Sequence, residues 1–522
     1  MPKKPPMLKF SWFYLALCLL PGLPALAEDP DPNTTGLAAA QQAPYLELTV
    51  DSAILMALQH NRALKLERFL LQINETEVQQ QLGQFDPNLT GRAEQNSEIA
   101  QRQFGAEPNF FDIISGGQDY RLGLQQTFAT GSQVALELGT SYSARTFGNN
   151  TVNQQISRLG LSFTQALLQG RDPAVNLAQV RQAELATVLA GYNLRGFAEA
   201  LVADTEIAFW DYILARQQVG LTEASMALAR QQLDETRQRI EVGRLAELEA
   251  LTLAAELALR EQELVSAQGQ FEKQRLALLR LLSPGGQNWA AYQLALAQPL
   301  GIPVVRLDSL EEHIQVALKQ RPELRQTQIQ IQRQELEIVR TRDGLMPRLD
   351  LFLTLGKTGY SDNVLGSMAN LFTDNGFDFI GGVQLNYPLG LRSAEAELQK
   401  ARLTQAQQQE ALHNLEQVVE LDVRQAYLDV RIAREQIQVS KTSRGLQSAR
   451  LHAETERYEV GRSTAFQVAQ AQRDLLASQL AEVQALMDYM KSLTRFYRME
   501  GTLLQRRGIS TLMAEAPAPD SD

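Results

Sequence analysis

Arg239-Ile240-Glu241-Val242-Gly243-Arg244 returns as Arg457-Tyr458-Glu459-Val460-Gly461-Arg462, 218 residues further along. Ala208-Phe209-Trp210-Asp211 returns at the same offset as Ala426-Tyr427-Leu428-Asp429. Nearer the start the offset is 260: Ala57-Leu58 falls on Ala317-Leu318, Leu64 on Leu324, Pro87 on Pro347 and Leu89 on Leu349. An offset that holds across Pro, Gly and aromatic landmarks marks an internal duplication rather than a chance likeness of helical sequence. Its fall from 260 to 218 puts 42 extra residues into copy one, between Leu89 and Ala208. Both copies share one order: helix, Pro-led strand region, long helix, Val-Gly-Arg, long helix.

The helical parts are long. Residues 174–283 and 389–516 contain no proline. Val419, Val423, Ala426, Val430, Ala433 and Ile437 step by four and three, as do Leu201, Thr205, Ala208, Tyr212, Ala215 and Val219. That spacing is a heptad-like seam for helix-on-helix packing. Gly243 and Gly461 stand where each long helix should stop, because glycine suits the left-handed position after a helix end. Each copy therefore predicts a long helical hairpin.

The strand regions alternate with period two. Leu349, Leu351, Leu353 and Leu355 share one parity, and so do Phe377, Phe379, Val383, Leu385 and Tyr387. In copy one the sets are Tyr120, Leu122, Leu124 and Phe128, then Val134, Leu136, Leu138 and Tyr142, then Leu159, Leu161 and Phe163. Alternating segments of about ten residues between Gly, Asn and Asp turns are the pattern of a transmembrane β-barrel. A small soluble antiparallel sheet is the blander reading. Copy two predicts one hairpin, near 347–360 and 376–389, and copy one up to four strands, near 87–98, 118–129, 132–143 and 156–167. Four to six strands are too few to close a membrane barrel, whose smallest form has about eight. Open edges are not tolerated in lipid. Several copies must therefore share one barrel.

The 522 residues carry a net charge of −11, one Cys and four His. The acidic balance argues against nucleic-acid binding, which needs clustered Lys and Arg. His60, His313, His413 and His452 have no metal-ligand spacing, and no cofactor is expected. Gly356-Lys357-Thr358 lacks the earlier glycine of a phosphate-binding loop, since position 351 is Leu. An enzyme is the weakest class. No apolar run is long enough for a transmembrane helix. Lys3, Lys4 and Lys9, the apolar stretch Phe10 to Leu20 and Ala25-Leu26-Ala27 read as a secretory signal peptide over 1–27. Leu17 before Cys18 argues against a lipoprotein signal. Cleavage would leave a cysteine-free chain of charge −14. The remaining plan is a disordered linker at 28–44, repeat one at 45–283 with strands over 87–167 and a helical hairpin over 172–283, and an inter-repeat linker at 284–306. Repeat two spans 307–508, with a β-hairpin over 347–389 and a helical hairpin over 391–505. A disordered acidic tail fills 509–522.

Over about residues 45–505 these landmarks resemble the TolC family of outer-membrane efflux proteins. Leu385-Asn386-Tyr387-Pro388-Leu389 is similar to that family's strand-to-helix corner, while copy one has Ala166 where Pro is usual. The resemblance implies a homotrimer in the outer membrane with a large periplasmic part. Duplicated helical hairpins form an α-barrel, and each protomer gives four strands to a shared 12-stranded β-barrel. The extra copy-one hairpin departs from this, and the sequence leaves open whether it joins the barrel. The resemblance further implies a passive channel in a tripartite export system, working with a periplasmic adaptor and an inner-membrane transporter. Val242, Gly243, Arg244, Val460, Gly461 and Arg462 match the hairpin tips that meet the adaptor. The family's acidic entrance positions fall on Gln467 and Gln470, both neutral here, with Glu249 as an acidic counterpart in copy one. A ring of amides would hold cations more weakly than carboxylates. A type I protein-secretion outlet and a periplasmic coiled-coil scaffold without a pore are the alternatives.

Overall fold

The computed structural model describes residues 45–103, 110–147, 150–243, 246–285, 289–296, 305 and 307–509. The expected signal peptide, the 28–44 linker and the tail beyond Ile509 lie outside the described residues, as does much of 284–306. Copy one opens with β1 (Tyr45–Leu48), α1 (Val50–His60) and α2 (Arg62–Leu82). Strands β2 (Asn88–Gln103), β3 (Phe110–Thr127), β4 (Ser132–Phe147) and β5 (Asn150–Ala166) follow. A short α3 (Pro173–Asn176) leads into α4 (Ala178–Glu241) and α5 (Glu247–Leu282). Strand β6 (Gln293–Leu296) lies between the copies. Copy two runs α6 (Leu310–Gln320), α7 (Pro322–Asp343), β7 (Arg348–Ser361), α8 (Val364–Thr373) and β8 (Phe377–Asn386). It ends with α9 (Arg392–Glu459), α10 (Ala465–Glu500) and α11 (Leu503–Arg506).

The 64 residues of α4 and 68 of α9 make rods roughly 95–100 Å long. No helix among the described residues is long and apolar enough to cross a membrane. The helical seam is a packed core. Val419, Val423, Val430, Leu201, Thr205 and Tyr212 are all buried, with Ala433 and Ile437 partly covered beside them. Phe209, Phe496, Leu278 and Leu282 complete it. Trp210 packs its edge against the Phe209 ring, 5.4 Å between centroids, and belongs to this core.

Two local breaks were not anticipated. The helix before each strand region is split in two. In copy one Asn61 ends α1 and caps α2, its Oδ1 accepting from the Ala63 and Leu64 amides at 2.9 and 3.2 Å. In copy two Arg321 is extended because Pro322 follows it, and that proline opens α7. The expected plain linker at 284–306 also needs correcting. Within it β6 pairs in parallel with β1, and the Tyr212 hydroxyl donates to the Leu294 carbonyl at 2.9 Å. A third element, α8, interrupts the copy-two hairpin and lies across β7 and β5. Its closest approach is at Gly359, where a Cβ would collide with the α8 backbone at Ser367 and Leu371.

The other strands form one antiparallel sheet in the order β2-β3-β4-β5-β7-β8. Leu89, Leu124, Leu136, Leu161, Leu355 and Phe379 sit side by side across all six, each 43–67% exposed. On the opposite face Arg92 lies beside Arg121, and Gly139, Arg158 and Thr358 continue that row. Arg121 bonds Asp119 at 2.7 Å and Arg158 bonds Asp378 at 2.5 Å. The sheet is apolar on one side and charged on the other.

Several ionisable groups are buried in the helical layer. His313 Nδ1 lies 2.6 Å from Glu500 Oε1, and Thr502 Oγ1 donates to Glu500 Oε2 at 2.6 Å. Glu199 accepts from Arg195 at 3.2 Å. Burial pushes the Glu199 carboxyl up to about 7, overcoming the charge and hydrogen bond of Arg195. The folded chain therefore holds this proton more tightly than the unfolded chain, whose carboxyl titrates near 4.5. Stability is favoured below that range and is lost as pH rises through it towards 7. Glu199→Gln should flatten the fall in stability between about pH 5 and pH 8, by up to roughly 3 kcal/mol. Denaturant titration at both pH values reads this, and an equal fall in both proteins would remove Glu199 from the account.

Candidate functional site

Each long hairpin turns in the same way. At the first tip Gly243 takes φ +74° and its amide donates to Ile240 at 2.8 Å. At the second, Gly461 takes φ +73° and donates to Tyr458 at 3.0 Å. The Arg462 amide reaches back to the Arg457 carbonyl at 2.7 Å, completing a left-handed helix cap. The residue before each glycine stands in solvent, Val242 being 68% and Val460 69% exposed. Arg244 lies outside the described residues, and Arg462 is exposed.

A small cluster near the tips joins the two hairpins. Leu233 of α4 and Leu253 of α5 pack with Ala465 and Ala469 of α10, and Tyr458 of α9 lies against them. Charges bind the same elements. Buried Arg260 bonds Glu256 and Glu263, both at 2.7 Å, and Arg473 of α10 reaches Glu256 of α5 at 3.4 Å. Arg450 of α9 bonds Asp474 of α10 at 2.8 Å. This network was not read from the sequence, because long helices carry many charges and spacing alone does not say which face a partner helix.

The three candidate entrance residues all stand beside this cluster, in different settings. Gln467 is the third residue of a capping box. Its Oε1 accepts from the Thr464 amide at 3.3 Å and the Ser463 hydroxyl at 2.8 Å, while Thr464 Oγ1 accepts from the Gln467 amide. The Thr464-Ala465-Phe466-Gln467 run carries that signature in the sequence. Gln470 is exposed one turn on and lines a groove of about 900 Å³ with Arg260, Glu263, Lys273, Arg473 and Asp474. Glu263 and Asp474 are already paired with arginines. Glu249 is half-buried in the first turn of α5, where the helix dipole favours an acid. Among the described residues no group of His, Cys, Asp and Glu is arranged to hold a metal.

Residues 313–502 match the family described as outer membrane efflux protein. The second repeat is an outer membrane efflux protein domain. The first repeat has the same order of elements as this efflux domain, enlarged by two strands. The whole fold is similar to solved outer-membrane channels. CusC aligns with a TM-score of 0.66 at 16% identity, over 92% of this chain and 99% of that one. The Campylobacter jejuni CmeC channel gives 0.64 at 14%, over 94% and 98%. VceC of Vibrio cholerae gives 0.63 at 16%, over 87% and 96%. No curated relative matches the sequence. At such identities the structures speak for the fold, while the efflux domain sets the class: an outer-membrane protein of the channel type, not an enzyme.

Substitution at the tips should separate backbone strain from side-chain effects. Gly243→Ala and Gly461→Ala should each cost about 1–2 kcal/mol, because alanine resists positive φ. Gly445→Ala, inside α9 with nothing within 4 Å of a new Cβ, should be neutral or slightly stabilising. Thr464→Ala should cost about 1 kcal/mol. It should also speed hydrogen exchange in the first turn of α10.

Proposed function

We propose that the protein is the outer-membrane exit duct of a three-part export system, assembled as a homotrimer and passing small molecules. One observation carries this reading: a six-stranded sheet with an apolar face, a charged face and two unpaired edges joins long helical hairpins. The apolar face suits lipid and the charged face suits water. Such a sheet is stable in a membrane only when neighbouring copies close its edges. The helices then continue the tunnel into the periplasm. The duct is passive, and an inner-membrane transporter supplies the energy. Gly356-Lys357-Thr358 lies within β7, where no phosphate loop can form.

The hairpin tips are the surface we assign to a periplasmic adaptor. Val242 and Val460 offer exposed apolar contacts on glycine-fixed turns, flanked by Arg244 and Arg462 in the sequence. Opening would loosen the ties between α5, α9 and α10 beside Gln470. The Gln467 amide is committed to its helix cap, which leaves Gln470 as the neutral entrance residue.

Single-channel recording of the purified protein in a planar bilayer tests the duct. Discrete, long-lived openings are expected, with weak block by divalent cations. Gln470→Asp should strengthen that block several-fold, because a carboxylate ring attracts cations. No openings from a folded trimer would reject the channel reading. An unchanged block in Gln470→Asp would place the constriction elsewhere.

A further inference from the structure

The extra copy-one hairpin, β2–β3, continues the sheet without a break. β2 pairs with β3 over 16 residues, and β3 with β4 over 15. Both faces continue through it. Leu89, Leu122 and Leu124 extend the apolar face, and Arg92, Glu94, Asp119 and Arg121 extend the charged one. A hairpin folded outside the wall would have no reason to keep this division in register.

The strand ends fix a stagger. The row that starts at Asn88, the first residue of β2, reaches Ile380 in β8. Ile380 lies six residues before Asn386, where β8 ends. Five strand-to-strand steps therefore shift the register by about one residue each. With roughly 3.3 Å per residue and 4.8 Å between strands, that is a tilt of about 35–40°. Transmembrane barrels tilt by about 35–45°.

The helices give an independent width. α2, α4, α7 and α9 lie side by side in that order, and they adjoin β2, β5, β7 and β8. Four helices at about 8–10 Å spacing occupy roughly 32–40 Å of wall. Six strands tilted as above occupy roughly 36 Å, so the helical layer leaves room for all six.

We infer that β2 of one copy pairs with β8 of the next, so that three copies close an 18-stranded barrel. This rests on the trimeric duct proposed above. With the ends of β8 and β2 level, Leu385 sits opposite Leu89 of the neighbour and Val383 opposite Gly91; a two-residue step sets Tyr387 opposite Leu89 instead, and either register leaves the apolar face unbroken. The β-barrel is then about 1.5 times as wide as a 12-stranded one, since diameter grows roughly linearly with strand number. The duct would accept correspondingly bulkier solutes through its membrane segment.

Cysteine pairs test the joint, because Cys18 is the only cysteine in the sequence and lies in the segment expected to be cleaved. Leu89→Cys with Leu385→Cys should oxidise to a covalent trimer, and Val383→Cys or Tyr387→Cys brackets the register. The inference is overturned if Leu385→Cys instead links to Val134→Cys of another copy, the contact expected when only β4, β5, β7 and β8 form the wall. It is also overturned if Leu89→Cys links to none of the three β8 positions in a protein of trimeric native mass. Strand counting by electron cryomicroscopy of the unmodified protein in nanodiscs stands beside this: 18 supports the inference and 12 rejects it. A native mass other than three copies, or no pore in a bilayer, instead fails the trimeric duct itself.

Discussion

A backbone amide in hydrocarbon has no water to bond, and each one left alone costs several kcal/mol. Most of this architecture follows from that cost. Six strands satisfy one another along five shared edges and leave two edges open, at β2 and β8. The long helices satisfy their own amides internally and need only a seam to pack against. The chain thus divides into helices whose amides are satisfied alone and a sheet whose β2 and β8 edges are left unpaired.

The division of labour is visible in where charge is paired. In the helical layer buried ionisable groups meet partners at close range: Arg260 with Glu256 and Glu263, Lys491 with Asp211 and Asp488, His313 with Glu500. Removing one member of such a set leaves the other stranded; of these contacts Lys491–Asp211 ties α10 to α4 and His313–Glu500 ties α6 to α10, while Arg260 finds both its partners within α5. On the sheet most charges sit on one face, Lys357 beside Leu159 and Phe377 being an exception, and they bond nearby partners, Arg121 with Asp119 along β3 and Arg158 with Asp378 across the sheet. The apolar face has the reverse character, a belt of Leu and Phe left exposed in the single chain.

Much of this was legible in the sequence because it rests on periodicity. The period-two sets in 120–163 and 349–387 became the apolar face, and the seam from Val419 to Ile437 became core. The two Val-Gly landmarks became left-handed turns because glycine alone enters that region without strain. What was hidden depended on contacts between distant segments. The β1–β6 pair is two four-residue pieces nearly 250 residues apart, too short to carry a pattern. The hairpin α8 interrupts read as continuous because a ten-residue helix over Gly359 leaves no mark on strand alternation. Gln467 shows the opposite lesson. Its capping-box signature stood in the sequence, but matching it to an entrance position gave its side chain a second task. Alternation located the strands of the extra hairpin but not their place in the sheet, which only register reveals.

That hairpin enters and leaves on the same side, between α2 and β4. A single added residue in any strand would turn its side chains inside out, whereas a whole hairpin preserves both faces. Strands can therefore be added to such a sheet two at a time without turning either face over.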